Sequence, residues 1–344
     1  EVNFTLLENT LSMDEVVVSA TRNETNKKSS ATIVNVSSMK LFENTASSNL
    51  AESIKFQPGL RVENSCGNCG AVQLRINGLD GQYSQILLDS SPIFSSLAGV
   101  YGLEQLPVAM IERVEVIRGG GSALFGSNAI GGVVNIITKE PLRNSLNLSH
   151  TSNIMEGGNT EFNTSLGGSF VSDDHRAGVY LFGMVKDRDA YDRNDDGFTD
   201  ITLRESHTVG FRGYYKASAN SKLTAEYHNI GEFRRGGDNI DLPPHMAEIA
   251  EQTDHKINGG SLRWSYFSPN SHHLFDIYTS AQAINRDSYY GTGKDLNAYG
   301  LTEDLTLVAG AQYSYLFDKC LFMPAQLTVG AEYSYNDLND HSIG

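Results

Sequence analysis

From about residue 145 onward, apolar and polar positions alternate along the chain. Across 305–315, Leu305, Leu307, Ala309, Ala311, Tyr313 and Tyr315 fall on one face, and Thr306, Gly310, Gln312 and Ser314 on the other. The stretch 326–335 repeats the pattern, with Leu327, Val329, Ala331, Tyr333 and Tyr335 against Gln326, Thr328, Gly330, Glu332 and Ser334. A period of two is that of a strand with one apolar face. Similar stretches lie near 145–155, 160–170, 176–186, 203–217, 222–233, 256–267, 273–286, 303–317 and 325–337, which predicts about nine strands. These are longer than the roughly 5–6 residues of an ordinary globular strand. They suit a tilted strand crossing a bilayer, which needs roughly 9–11 residues. Tyrosines cluster near the strand ends, where membrane-interface girdles place them.

The connections alternate too. Short turns are predicted at 171–175, 217–221, 268–271 and 319–324, and long polar loops near 187–201, 234–254 and 287–301. A soluble sandwich has no reason to sort its loops by length. A barrel in an outer membrane does, with short periplasmic turns and long external loops. Nine strands cannot close such a barrel, because bacterial single-chain barrels have even strand numbers and an open edge is not viable in lipid. The sequence is therefore expected to be part of a longer chain. Before Pro141 the pattern differs, with short apolar runs, Gly-rich turns and helical stretches.

Composition adds little beyond exclusions. Of 344 residues, 40% are hydrophobic and 19% charged, which argues against disorder. A net charge of -15 speaks against a nucleic-acid partner, since phosphate binding needs clustered Lys and Arg. No apolar run reaches the length of a transmembrane helix. The chain opens Glu1-Val2-Asn3 with no signal peptide in view, which decides nothing. Cys66 and Cys69 form a C-x-x-C without a second pair nearby. A disulfide in an oxidising compartment is the expected reading, with free thiols or a metal as alternatives.

The most informative stretch runs from Leu74 to Pro141. It contains Leu74-Arg75-Ile76-Asn77-Gly78, then Ile86-Leu87-Leu88-Asp89-Ser90-Ser91-Pro92, then Ile111-Glu112-Arg113-Val114-Glu115-Val116-Ile117-Arg118-Gly119-Gly120-Gly121-Ser122, and closes with Asn128-Ala129-Ile130-Gly131-Gly132-Val133-Val134-Asn135-Ile136-Ile137-Thr138. This run resembles the plug domain of TonB-dependent outer-membrane receptors. Upstream, Met13-Asp14-Glu15-Val16-Val17-Val18-Ser19-Ala20-Thr21-Arg22 resembles the TonB box and its flank, an extended segment suited to strand addition on a partner's sheet edge. The residues themselves agree. Ile111 to Ile117 and Val133 to Ile137 read as buried strands, and Gly119 to Gly121 permit backbone shapes closed to other residues. Arg113, Glu115 and Arg118 are expected to form a charged network facing a barrel wall. The run lacks the Lys of a phosphate-binding P-loop.

The resemblance implies a membrane β-barrel, here the N-terminal part of a 22-stranded antiparallel barrel, with an α/β plug domain inside. Residues 1–12 would be a linker or the tail of a small β-domain of the kind found in Bacteroidetes-type receptors, 13–22 the TonB box, 23–141 the plug and 142–344 the start of the barrel. It implies TonB-dependent active transport of a scarce bulky nutrient: cobalamin, haem or a ferric siderophore, the style being nearer the cobalamin and haem receptors. The alternatives are a glycan or peptide importer of the same architecture, or a passive porin or adhesin. The implied partners are TonB, a small-molecule ligand, outer-membrane lipid and a surface lipoprotein lid. No cofactor is required. No nucleophile, base and orienter set is visible, so no enzyme is expected.

Three sets of site residues follow. Asp14, Glu15, Val16, Val17, Val18 and Ser19 are the expected TonB-coupling segment. Residues 91–101 are expected to form an apical plug loop, with Ser91, Phe94, Ser95 and Tyr101 facing the ligand. In 187–200, Asp192, Asn194, Asp196, Gly197 and Asp200 fit positions 1, 3, 5, 6 and 9 of a calcium loop, although Leu203 stands where a bidentate Glu belongs. A structural calcium or a solvated acidic turn are both open readings. His245 beside Met246 has the chemistry of an axial haem ligand, though a lone surface His is more often simply polar.

Overall fold

The computed structural model describes residues 16–19, 25–27, 30, 32–45, 47, 49–66, 70–92, 103–106, 108–120, 122–155 and 158–342. Among these, the chain divides near Pro141 into a small mixed unit and a large antiparallel sheet.

The small unit opens with β1 (Val16–Val17) paired antiparallel to β2 (Thr25–Asn26). A four-stranded sheet follows, in the order β3 (Val34–Ser38), β7 (Ile111–Arg118), β8 (Gly132–Thr138), β6 (Ser84–Leu88). β6 and β8 run parallel, and the other pairs are antiparallel. A separate hairpin joins β4 (Leu60–Cys66) to β5 (Ala71–Ile76). Helices α1 (Met39–Asn44), α2 (Leu50–Ile54) and α3 (Ser122–Phe125) cover the sheet. The side chain of Asn49 caps α2 by accepting from the Glu52 amide at 3.0 Å, filling one of the unpaired N–H positions of a helix start. Continuous apolar runs in β6, β7 and β8 read as buried strands, and they are. Leu87, Ile111, Val114, Val133, Val134 and Ile136 are buried. Gly119 and Gly120 have φ of 71° and 65° with nothing crowding them, so the turn after β7 needs their backbone freedom rather than their small size.

The large sheet has nine strands in sequence order: β9 (Ser145–Ile154), β10 (Thr160–Val171), β11 (Ala177–Arg188), β12 (Leu203–Ser218), β13 (Ser221–Gly237), β14 (Ile249–Phe267), β15 (His273–Thr292), β16 (Tyr299–Cys320) and β17 (Met323–Ser342). Every neighbouring pair is antiparallel. The nine predicted strands are the nine observed. The later ones run further than the periodicity shows: β16 has 22 residues and β17 has 20. The loops shrink accordingly, to 238–248 between β13 and β14 and 293–298 between β15 and β16, shorter than the predicted 234–254 and 287–301. Past the apolar band nothing forces alternation, yet the hydrogen-bond ladder continues.

The two faces of this sheet differ. Outward positions such as Leu181, Val185, Val209, Leu262, Ile277 and Val329 are exposed, as a lipid-facing surface requires. At the short-turn end, Trp264, Tyr266, Phe275 and Tyr313 form a row with successive ring centroids 6.1, 6.2 and 4.8 Å apart. This row is the predicted aromatic girdle. Inward, rings lie across glycines of a neighbouring strand: Tyr180 over Gly167, Phe182 over Gly210, His228 over Gly259 and Tyr278 over Gly310. A Cβ at any of these glycines would run into the ring, so the glycines here serve close approach.

Candidate functional site

The small unit sits against the inward face of the sheet, and two polar seams hold it there. The first lies beside the long loops. Arg204 on β12 and Arg234 on β13 converge on Glu104 of the small unit, at 3.4 and 2.9 Å. Both arginines also pair with Glu232 of β13, at 2.5 and 2.8 Å. Arg204 donates to the Glu104 carbonyl at 2.8 Å, Arg234 to the Gly70 carbonyl at 2.7 Å, and Gln105 to Glu232 at 3.1 Å. Burial would raise the Glu104 carboxyl, but Arg204 and Arg234 outweigh it and hold it below its usual value. The arginines and Glu232 are buried, so removing one partner would strand a charge out of water.

The second seam lies toward the short turns. Asp89, just past β6, pairs with Arg212 of β12, which also meets Glu226 of β13 at 2.9 Å. Thr138 donates to Asp89 through its hydroxyl at 2.6 Å and its amide at 3.1 Å. Arg263 of β14 donates to the Asp89 carbonyl at 2.7 Å. Burial opposes ionisation of Asp89, but Arg212 and the Thr138 hydrogen bonds prevail and its carboxyl is held low. Asp89 and Ser90 both have left-handed backbone, with φ of 46° and 67°, a strained shape for non-glycine residues. One apolar contact also crosses the boundary: Tyr180 and Phe182 of β11 join the core of the small unit, and the Tyr180 hydroxyl donates to the Ala109 carbonyl at 2.6 Å.

The N-terminal segment is docked into the small unit. Val17 is fully buried in a cluster with Val34, Leu87, Ile117 and Val133. The amides of Val18 and Ser19 and the Ser19 hydroxyl all donate to Glu115 Oε2, at 2.8, 2.8 and 2.7 Å. Arg113 occupies Glu115 Oε1 at 2.8 Å. This corrects the expected charged network: Glu115 faces the N-terminal segment, not the wall, and Arg118 donates to the Pro58 carbonyl at 3.3 Å. Asp89 and Glu104, which do meet the wall, pair with positions a hundred or more residues away.

The remaining predicted residues fall as follows. Ser91 is buried and pairs with Leu88 in a tight turn next to Asp89. It therefore lies at the short-turn seam and not at an apex, because β6 runs parallel to β8 and both end toward the start of the large sheet. Asp14, Glu15, Cys69, Phe94, Ser95 and Tyr101, and the side chains of Val16 and Cys66, lie outside the described residues. In the acidic loop, Asp192 accepts from the amides of Asn194 and Gly197 at 3.2 and 2.8 Å, Asp196 from that of Phe198 at 2.9 Å, and Asp200 from that of Arg193 at 2.8 Å. Gly197 has a φ of 90°. The bend is the one the spacing predicts, and the carboxylates cap its own backbone. Among the described residues, no group of three or more His, Cys, Asp or Glu is arranged to hold a metal. His245 is spoken for by the Tyr299 hydroxyl at 2.7 Å.

A globular plug seated by polar seams on the inner face of a long-stranded sheet, with an N-terminal strand clipped into it, defines a plugged β-barrel membrane protein. Residues 26–133 match the TonB-dependent Receptor Plug Domain family, so the small unit is a plug domain of that kind. The vitamin B12 transporter BtuB of Vibrio vulnificus is 29% identical over 315 residues, covering 87% of this chain and 50% of that protein. The chain thus spans about half the length of such relatives. The siderophore receptor PirA from Acinetobacter baumannii superposes with a TM-score of 0.73 at 19% identity, over 88% of this chain and 48% of that one. The ferripyoverdine receptor of the Pseudomonas aeruginosa outer membrane gives 0.73 at 13% identity, over 95% and 45%. At those identities the likeness is one of fold.

Proposed function

We propose that the full-length protein sits in the outer membrane of a Gram-negative bacterium and imports cobalamin or a ferric siderophore, driven by TonB acting on residues 14–19. The observation that carries this is the docking of Val17 to Ser19 into a plug that is itself held to the wall by ion pairs. A passive pore has no use for a clipped terminal strand or a detachable plug. The similarity to vitamin B12 transporters over most of the chain favours cobalamin, and the fold neighbours keep ferric siderophores in view. The spacing of Asp192, Asn194, Asp196 and Asp200 motivates a weak external calcium site, filled only if calcium displaces the backbone amides these carboxylates now cap, at a dissociation constant on the order of 0.1–1 mM.

The test is uptake of labelled cyanocobalamin and of a ferric catecholate by cells carrying the full-length receptor, with and without residues 14–19, and with and without a calcium chelator. Deletion is expected to abolish uptake of one of the two. Uptake that survives deletion points to a passive porin and overturns the proposal. Transport of neither compound points to a glycan or peptide importer.

A further inference from the structure

Glu115 is fully buried at the centre of the plug sheet, yet the seams do not use it. Its cross-strand partner on β8 is Asn135, also fully buried. Asn135 Nδ2 donates to the Ser19 hydroxyl and to the Ser90 hydroxyl, both at 3.0 Å, and its Oδ1 accepts from the Ser90 amide at 2.9 Å. Ser90 adjoins Asp89, which is tied to Arg212 and Arg263 of the wall. A continuous line of hydrogen bonds therefore runs from the N-terminal segment through Asn135 and Ser90 to the barrel wall.

We propose that Glu115 and Asn135 are positioning residues that latch the N-terminal segment in the plug through Val18 and Ser19, and that the strained Asp89–Ser90 corner links this latch to the wall. This rests on reading 14–19 as the TonB-coupling segment. Three donors from Val18 and Ser19 satisfy one carboxylate oxygen. Withdrawing the segment leaves a carboxylate inside the plug with Arg113 as its remaining partner among those described, so release is unfavourable until water or a rearranged Asn135 replaces those donors. A shift of the Asp89–Ser90 corner alters the donor that Asn135 gives to Ser19. The wall can thereby set how readily the segment leaves.

The experiment uses the full-length receptor in outer-membrane vesicles. Its native cysteines are replaced by serine, and a nitroxide label is placed through Glu15→Cys. Glu115→Gln turns one acceptor oxygen into a donor facing other donors. It is expected to raise the ratio of mobile to immobilised label about tenfold. Ser19→Ala removes one hydroxyl and is expected to give a smaller rise. The double variant should exceed Glu115→Gln by little, because both changes act on one network. Glu63→Gln, whose carboxylate pairs with Arg61 and Arg75 on the separate hairpin, should change nothing. Heat-modifiable gel mobility checks that the barrel is folded, and Ser19→Ala serves if Glu115→Gln fails that check. A label that stays immobilised in both variants overturns the latch. Binding of the TonB C-terminal domain separates the two readings. A freed label with about tenfold tighter TonB binding supports both, since affinity follows the fraction of undocked segment. A freed label with unchanged TonB binding upholds the latch and refutes the coupling role of 14–19.

Discussion

The plug's interior and the boundary between plug and wall are built on opposite principles. The interior is mainly apolar, with Glu115 and Asn135 as buried polar exceptions: Leu50, Ile54, Leu74, Ile76, Val114 and Ile136 are all buried within one cluster, each contributing on the order of 1.5–3 kcal/mol by leaving water. The boundary is largely ionic, with Glu104, Glu232, Arg204 and Arg234 at one seam and Asp89, Arg212 and Glu226 at the other. Apolar contact favours staying together wherever water is the alternative. A hydrogen-bonded ionic seam is different, because water can replace every bond if the parts separate together. The plug is thus made to persist as a unit while its seat on the wall can be exchanged.

The sharpest way to break this comparison is to strand a charge in the seam. Glu232→Ala leaves Arg204 and Arg234 without their shared buried carboxylate, and is expected to cost about 3–5 kcal/mol of plug seating. Hydrogen exchange in the full-length receptor should rise first at 103–106 and around Gly70, with the plug sheet still protected. Faster exchange spread evenly through the plug would mean that seam and interior are one cooperative unit. Leu74→Ala is the converse, expected to cost about 2–5 kcal/mol and to raise exchange across β5 and the plug sheet while the Glu104 seam keeps its protection. Acidification should do least. Glu104 and Asp89 titrate below their usual 4.5 and 3.8, so their contribution is fully present above those values and fades only as pH falls through the lower folded ones. Exchange at the seams, corrected for intrinsic rate, should be unchanged from pH 7 to pH 4.5. Loosening within that window would show that the arginines do not dominate these carboxylates.

Much of the fold is legible in the sequence, because membrane strands alternate wherever one face meets lipid. β9 is predicted at 145–155 and found at Ser145–Ile154. β14 is predicted from 256 but begins at Ile249, since 249–255 carries polar side chains on both faces and no period marks it. The seams were hidden for another reason. Arg204, Glu232 and Arg234 read only as the polar side of alternating strands, and Glu104 lies 100 residues before Arg204. A charged residue where small polar ones would suffice, such as the Glu232-x-Arg234 pair, was the available signal. Glu115 was singled out by its motif, but a β-strand residue's partner is set by what packs on the sheet, and Ser19 is 96 residues away.

The rings laid across glycines give the wall a property that neither seam supplies. His228 and Tyr278 lie along the strands beside them, whereas Tyr180 and Phe182 also reach the core of the plug. Where His228 and Tyr278 lie, the inner surface keeps its bulk close to the lining. A body sliding along projecting rings would have to pass each ring in turn, whereas at these two positions it would meet flat faces. If the plug moves as proposed, such faces would lower the friction of its passage.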